Sequence, residues 1–235
     1  MSAYALVKSY TAHVGELDND TLEQAGFALL PTARQKRIEN FRTSQDKHAG
    51  IAAWLLLLFA LSAEGLSIPA EDAWRMTDKG KPELSGGPHF NLSHSGNRVL
   101  CSVSHEAKVG CDVEKIRTWK EKLAAFCMQE QELAAMASLE ESSERAYAFT
   151  RSWTLKESYM KAHGLGLELA PKSFALRFDE KNAAQLSEPN VDPCCFQEYK
   201  LGEDYCCSIC ALAPRARFEP LVHVELSQVL HALLR

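Results

Sequence analysis

The chain has no surplus of positive charge: 26 lysines and arginines stand against 31 aspartates and glutamates, a formal net charge of −5. Nucleic-acid binding needs a basic face that neutralises phosphates, so no nucleic-acid partner is expected. A local basic patch for one small polyanion stays open. Long hydrophobic runs are also lacking. The greasiest stretch, residues 51–63 (IAAWLLLLFALSA), falls short of the roughly 20 apolar residues that span a bilayer and reads as a buried core helix, with no membrane partner. Residues 1–10 carry no basic segment followed by an apolar core. No secretory signal is therefore expected, which points to a cytoplasmic protein whose eight cysteines are reduced thiols. Those cysteines lack two spaced Cys-x-x-Cys pairs. Cys194-Cys195 and the Cys206, Cys207, Cys210 group sit in apolar runs joined by Gly202-Glu203-Asp204. That pattern favours a hairpin over structural zinc. Low-complexity tracts and short repeats are absent as well.

What remains is ordinary globular material of 235 residues, 46% hydrophobic and 24% charged, enough for one large domain or two small ones. One octapeptide stands out: Val109-Gly110-Cys111-Asp112-Val113-Glu114-Lys115-Ile116. Its alternation is that of a strand, so Asp112 and Glu114 project from one face about 7 Å apart. Two carboxylates that close repel unless a proton or cation lies between them. Oxygen ligands from two acids, with positions left for water and phosphate, suit Mg²⁺. An exposed face paired with nearby lysines would look the same.

Along the chain, residues 1–15 read as a first strand. Pro31 opens a helix on which Arg34, Arg37, Ile38 and Phe41 share a face while Lys36 points away. Two arginines there can clamp a phosphate or be merely solvated. Thr43 to Asp46 forms a possible capping box ahead of the long apolar helix, which ends near Gly65. Residues 89–92 read as a strand that gives way to a polar loop, Ser93-His94-Ser95-Gly96, whose hydroxyls and imidazole suit an anion. The segment 98–104 is another strand. A helix is expected from Trp119 to about Ala137 with Phe126, Met128, Leu133 and Met136 inward, then a charged loop at 139–145. Residues 146–163 form a helix stopped by Gly164, with Trp153, Glu157 and Lys161 recurring at i, i+4 and i+8. Beyond Pro171 the pattern is strand, over 173–178, 195–201 and 205–212. The coarse plan repeats in each half, which suggests two α/β halves with a cleft between them.

Four fragments stand in order: Gly80-Lys81-Pro82, Phe90-Asn91-Leu92-Ser93-His94-Ser95, Gly110-Cys111-Asp112-Val113-Glu114-Lys115, and Trp153-Thr154-Leu155-Lys156-Glu157-Ser158-Tyr159-Met160-Lys161. Together they resemble the signature of the Sfp-type 4′-phosphopantetheinyl transferases, densely from Pro31 to Gly166 and thinly over 173–212. The resemblance implies an α/β (α+β) fold of two pseudo-twofold-related halves, 1–106 and 107–235, with the active site in the cleft between them. It implies coenzyme A and Mg²⁺ as ligands and a carrier-protein serine as acceptor; a monomer is expected because two similar halves would already supply both walls of the cleft. On the matched positions, Asp112 and Glu114 would be metal ligands, with a third carboxylate on the following helix, Glu132 in preference to Glu130. Glu157 would take the serine proton and Lys161 would contact the pyrophosphate. Ser93 and His94 would hold the 3′-phosphate, helped by Arg34 and Arg37, with Lys81 also on phosphate and Pro82 beside the coenzyme. A CoA- or carrier-binding protein without catalysis, or a nucleotide phosphohydrolase, are the competing readings.

Overall fold

The computed structural model describes residues 4–187 and 192–234. Two sheet layers, the first mixed and the second antiparallel, each carry one long helix. The first strand, Ala5–His13, pairs antiparallel with Arg98–Ser104, which pairs in turn with the edge strand His89–Ser95. Across this sheet lies the helix Ser44–Ala63. Its start is half of the expected capping box: Thr43 Oγ1 accepts the Asp46 N–H at 3.0 Å, but Asp46 Oδ2 takes the Thr43 hydroxyl at 2.8 Å rather than the cap's backbone N–H. The helix is buried on all sides from His48 to Leu58, as an apolar helix without a polar face must be. At 20 residues it is long and apolar enough to cross a membrane by length and composition, but 72% of that span is packed inside the fold. It is the core helix.

The second layer orders Val109–Lys115, Tyr205–Ala211 and Cys195–Lys200, all antiparallel. The helix Ser142–His163 packs on the first two and ends at Gly164, whose φ of +76° and N–H bond to the Met160 carbonyl make the expected C-cap. Glycine is required once more, at Gly110: a Cβ there would lie 2.0 Å from the Ser158 carbonyl oxygen. Strand and helix touch backbone to backbone.

Between the layers runs a seam with no backbone ladder. Asn91, Ser93 and Ser95, alternate residues on the edge strand, accept the N–H groups of Cys111, Val113 and Lys115 at 3.0, 3.3 and 3.1 Å. Buried N–H groups need partners, and here side chains at period two supply them.

Several expectations are corrected. Ser93 to Ser95 complete a strand rather than a loop. The helix expected over 119–137 breaks at Met128-Gln129 into Glu121–Cys127 and Glu130–Ala137, which leaves Phe126 63% exposed. Helix begins at Ser142, inside the expected loop. The tail does not stay with a second half at 107–235. Its strands Ala216–Phe218 and Val222–His223 pair parallel with the first strand, and the helix Leu226–Leu233 packs on Ser44–Ala63. The amphipathic Leu226, Val229 and Leu230 complete the first core. All eight cysteines are free.

Candidate active site

The strand Val109–Lys115 turns Val109, Cys111 and Val113 into the core and Gly110, Asp112 and Glu114 towards the helix Ser142–His163. Asp112 is 2% exposed. Its Oδ1 accepts the Ser93 hydroxyl at 2.8 Å and the Lys161 ammonium at 2.5 Å. Its Oδ2 is buried with no hydrogen-bond partner. Glu114 accepts the Ser95 hydroxyl at 2.7 Å. One turn before Lys161, Glu157 Oε2 lies 3.8 Å from the Lys161 ammonium.

The charges perturb one another. Burial raises the carboxyl of Glu114 above its ordinary range, and the neighbouring Asp112 adds to it. Burial likewise raises Glu157; Lys161 opposes that and Asp112 reinforces it. For Lys161 burial pulls downward, but Asp112 and Glu157 together hold the ammonium above the usual lysine range. The result is one cation among three acids.

Beside this group opens a cleft of about 240 Å³, lined by Arg34, Arg37, Phe41, Gly80, Lys81, Pro82, His94 and Lys161 among others. Arg34 lies over the Trp54 ring at 5.5 Å and donates to the Gly50 carbonyl at 3.3 Å. Its Nε is buried without a partner, and burial with help from Arg37 pulls it down to about 10, still charged at neutral pH. Arg37 donates to the Gly80 carbonyl at 2.6 Å. His94 sits beside Phe41, ring centroids 6.2 Å apart, lowered by burial and by Arg34 and Lys161. The Lys81 ammonium reaches the Lys161 carbonyl at 2.8 Å, and burial pulls it down to about 8.

Arg34, Arg37, Lys81, Pro82, His94 and Lys161 line one cleft, and Lys161 joins it to Asp112 and Glu157 behind that wall, with Glu114 two residues along the strand from Asp112. Two expected residues are placed otherwise. The Ser93 hydroxyl is engaged by Asp112, Lys161 and the Val113 N–H, so it holds the acid rather than facing a phosphate. Glu132 does not join Asp112 and Glu114. It is the third residue of its helix and caps the Gln129 N–H at 2.7 Å, pairs with Lys156 at 2.7 Å and accepts the Leu176 N–H at 3.0 Å. Glu130 is exposed at that helix start. The third carboxylate of the group is Glu157. Sequence reading overlooked Ser95 and Asn91 as supports, although their period-two spacing with Ser93 was visible.

Among the described residues no three His, Cys, Asp or Glu side chains form a ready-made metal cluster. The donor set still suits a divalent cation. Two acids share a face, and a buried carboxylate oxygen lacking any donor is a polar group that needs a partner. Protein oxygens would supply part of the shell and phosphate or water the rest.

Comparison with known proteins adds a separate finding. Residues 108–210 match the family model described as the 4′-phosphopantetheinyl transferase superfamily. The chain is 31% identical over 180 residues to a 4′-phosphopantetheinyl transferase of Aneurinibacillus migulanus, covering 76% of this chain and 75% of that protein. It is 31% identical over 192 residues to one of Bacillus pumilus, covering 80% and 79%. To one of Bacillus subtilis it is 28% identical over 196 residues, covering 82% and 86%. A crystal structure of a holo-(acyl-carrier-protein) synthase from Bacillus anthracis in complex with CoA overlaps 45% of this chain and 95% of that one, with TM-score 0.40 and 19% identity.

Proposed function

This chain belongs to the 4′-phosphopantetheinyl transferase superfamily, and we propose how its cleft carries out that family's transfer. The enzyme moves the 4′-phosphopantetheine arm of coenzyme A onto a serine of an apo carrier protein. The serine Oγ attacks the phosphorus bearing the pantetheine arm, the P–O bond to the other phosphate breaks, and adenosine 3′,5′-bisphosphate leaves. Such chemistry is mostly positioning and charge neutralisation.

Arg34, Arg37 and His94 bind the nucleotide phosphates, and Lys81 and Pro82 form the wall beside them. Asp112 and Glu114 would hold a Mg²⁺ ion, which, when bound, offsets charge growing on the bridging and leaving oxygens. Lys161 steadies the pyrophosphate. Glu157, raised by burial, takes the serine proton, since a base works best with a pKa moved towards the working pH. The observation that carries this reading is the Asp112–Lys161–Glu157 group, whose Lys161 lines a cleft walled by two arginines. A net charge of −5 argues against a nucleic-acid partner, and we take the protein as a cytoplasmic monomer without a membrane partner. Sedimentation checks the monomer.

The test is labelling of an apo carrier protein by a fluorescent coenzyme A, with Mg²⁺ or with chelator. Labelling is expected to need Mg²⁺ and to vanish in Asp112→Ala and Glu157→Ala. Labelling that persists in Asp112→Ala refutes the metal assignment. Coenzyme binding without turnover on any carrier would favour a non-catalytic binder, and phosphate release without a carrier would favour a hydrolase.

A further inference from the structure

Next to Glu157 in the chain stands Lys156, a lysine with no exposed surface. An ammonium taken out of water needs other groups to replace its hydration. Four acceptors surround this one: Glu132 Oε2 at 2.7 Å and the carbonyls of Pro171, Phe174 and Cys127 at 2.9, 3.0 and 3.3 Å. The Phe174 ring lies 5.3 Å from the same nitrogen. Glu132 is tied in turn to the N–H groups of Gln129 and Leu176. One ion pair therefore links the helix Ser142–His163 to the end of Glu121–Cys127, the start of Glu130–Ala137, the 171–173 turn and the strand Leu176–Phe178.

On the strand-facing side of the same helix, Gly110 brings the backbone of Ser158 and Ala162 into direct contact. That close approach sets the distance between helix and strand; rotation about the helix axis is set by contacts on its other faces, Arg151 to Glu198 among them and Lys156 to Glu132 beside the catalytic turn. Lys156 and Glu157 lie 100° apart around that axis, and Glu157 and Lys161 about 40° apart. Turning a helix by about 10° moves groups 5–6 Å from its axis by about 1 Å. A misplacement of about 1 Å at a catalytic group can lower a rate about 100-fold.

We propose that the buried Lys156–Glu132 pair is a rotational stop that aims Glu157 and Lys161 at Asp112, which makes both members positioning residues for the transfer. The inference rests on the transferase reading above. Stability alone does not call for such a pair, because apolar replacements of buried ion pairs are often neutral.

The experiment compares the full-length parent with Lys156→Met/Glu132→Gln and with Glu132→Gln alone, each assayed below its own unfolding midpoint and normalised to folded protein. The double variant is expected to lose about 30-fold or more in kcat while KM for coenzyme A changes by less than about threefold, because of the coenzyme contacts only Lys161 lies on the turning helix, whereas Arg34, Arg37 and His94 lie on other elements. Glu132→Gln, which keeps a neutral acceptor for Lys156, is expected to recover most of the kcat. If the double variant does not fold, Glu132→Asp keeps the charge, shortens its reach by one methylene and must show the same split. A kcat per folded molecule within twofold of the parent overturns the proposal. So does a crystal structure of the double variant in which Glu157 and Lys161 keep their places relative to Asp112. That second readout needs no turnover, so a parent that labels no carrier would fail the transferase reading without hiding the outcome here.

Discussion

Gly110 and Ser158 meet with no room for a side chain: a Cβ on Gly110 would lie 2.0 Å from the Ser158 carbonyl oxygen and 2.3 Å from the Ala162 nitrogen. Both neighbours are backbone atoms in mid-helix, which cannot swing aside. Gly110→Ala is therefore expected to push the helix off the strand and destabilise the fold by about 3 kcal/mol or more, the upper part of the range for overpacking. A denaturant midpoint close to that of the parent would contradict this contact.

Ser93 has three partners: it donates to Asp112 and accepts the Lys161 ammonium and the Val113 N–H. In Ser93→Ala that buried N–H loses its acceptor, at a cost of about 1–3 kcal/mol, and Asp112 keeps only Lys161 as donor. Thermal unfolding is expected to fall by several degrees, and transfer to drop with it. If Ser93 instead met only a coenzyme phosphate, stability without ligand would be unchanged.

Lys81 gives a pH signature. Burial lowers its folded pKa from 10.5 to about 8. A depressed pKa means that the folded, coenzyme-free protein sheds this proton before the unfolded chain does. The resulting stability is present above 10.5 and is lost as pH falls through about 8. A bound phosphate favours the charged form, so coenzyme binding near pH 8 to 9 is expected to take up a proton, and affinity is expected to fall as pH rises past 8. Calorimetry in two buffers of different ionisation enthalpy reads the uptake. Lys81→Met should abolish it.

Arg34 and Lys36 are two residues apart but face different ways: Arg34 lines the cleft and stacks on Trp54, whereas Lys36 is exposed. Arg34→Gln removes a charge-assisted contact of about 1.5–3 kcal/mol. It is expected to raise KM for coenzyme A about tenfold or more, with kcat less affected. Lys36→Gln is expected to leave KM within about twofold. Equal effects of the two would place the phosphate elsewhere.

Much of the site was legible because its local patterns are short-range. Period two put Asp112 and Glu114 on one strand face, and the 100° step put Arg34 with Arg37, and Glu157 with Lys161, on common helix faces. The N-cap at Thr43 and the stop at Gly164 followed from neighbouring residues alone. Glu132 shows where such patterns end. A glutamate three residues into a helix looks the same whether it binds metal or caps the chain. Only the arrival of Lys156 from 24 residues away, and of the Leu176 N–H from beyond it, decided the matter. Ser93 and Ser95 read as an anion-binding loop because nothing local reveals that the opposite edge strand needs their oxygens.

By itself the sequence determined which residues share a face, where the long helices stop, and that no basic surface or long membrane run dominates. Tertiary structure alone decided which faces meet. The closing strands and helix at 216–234 return to the first sheet because the first strand has a free edge and the core helix an uncovered side. Neither vacancy is written in any window of neighbouring residues. A carboxylate's partners are chosen by what packing brings within about 3 Å of it, and that distance is set by the whole chain.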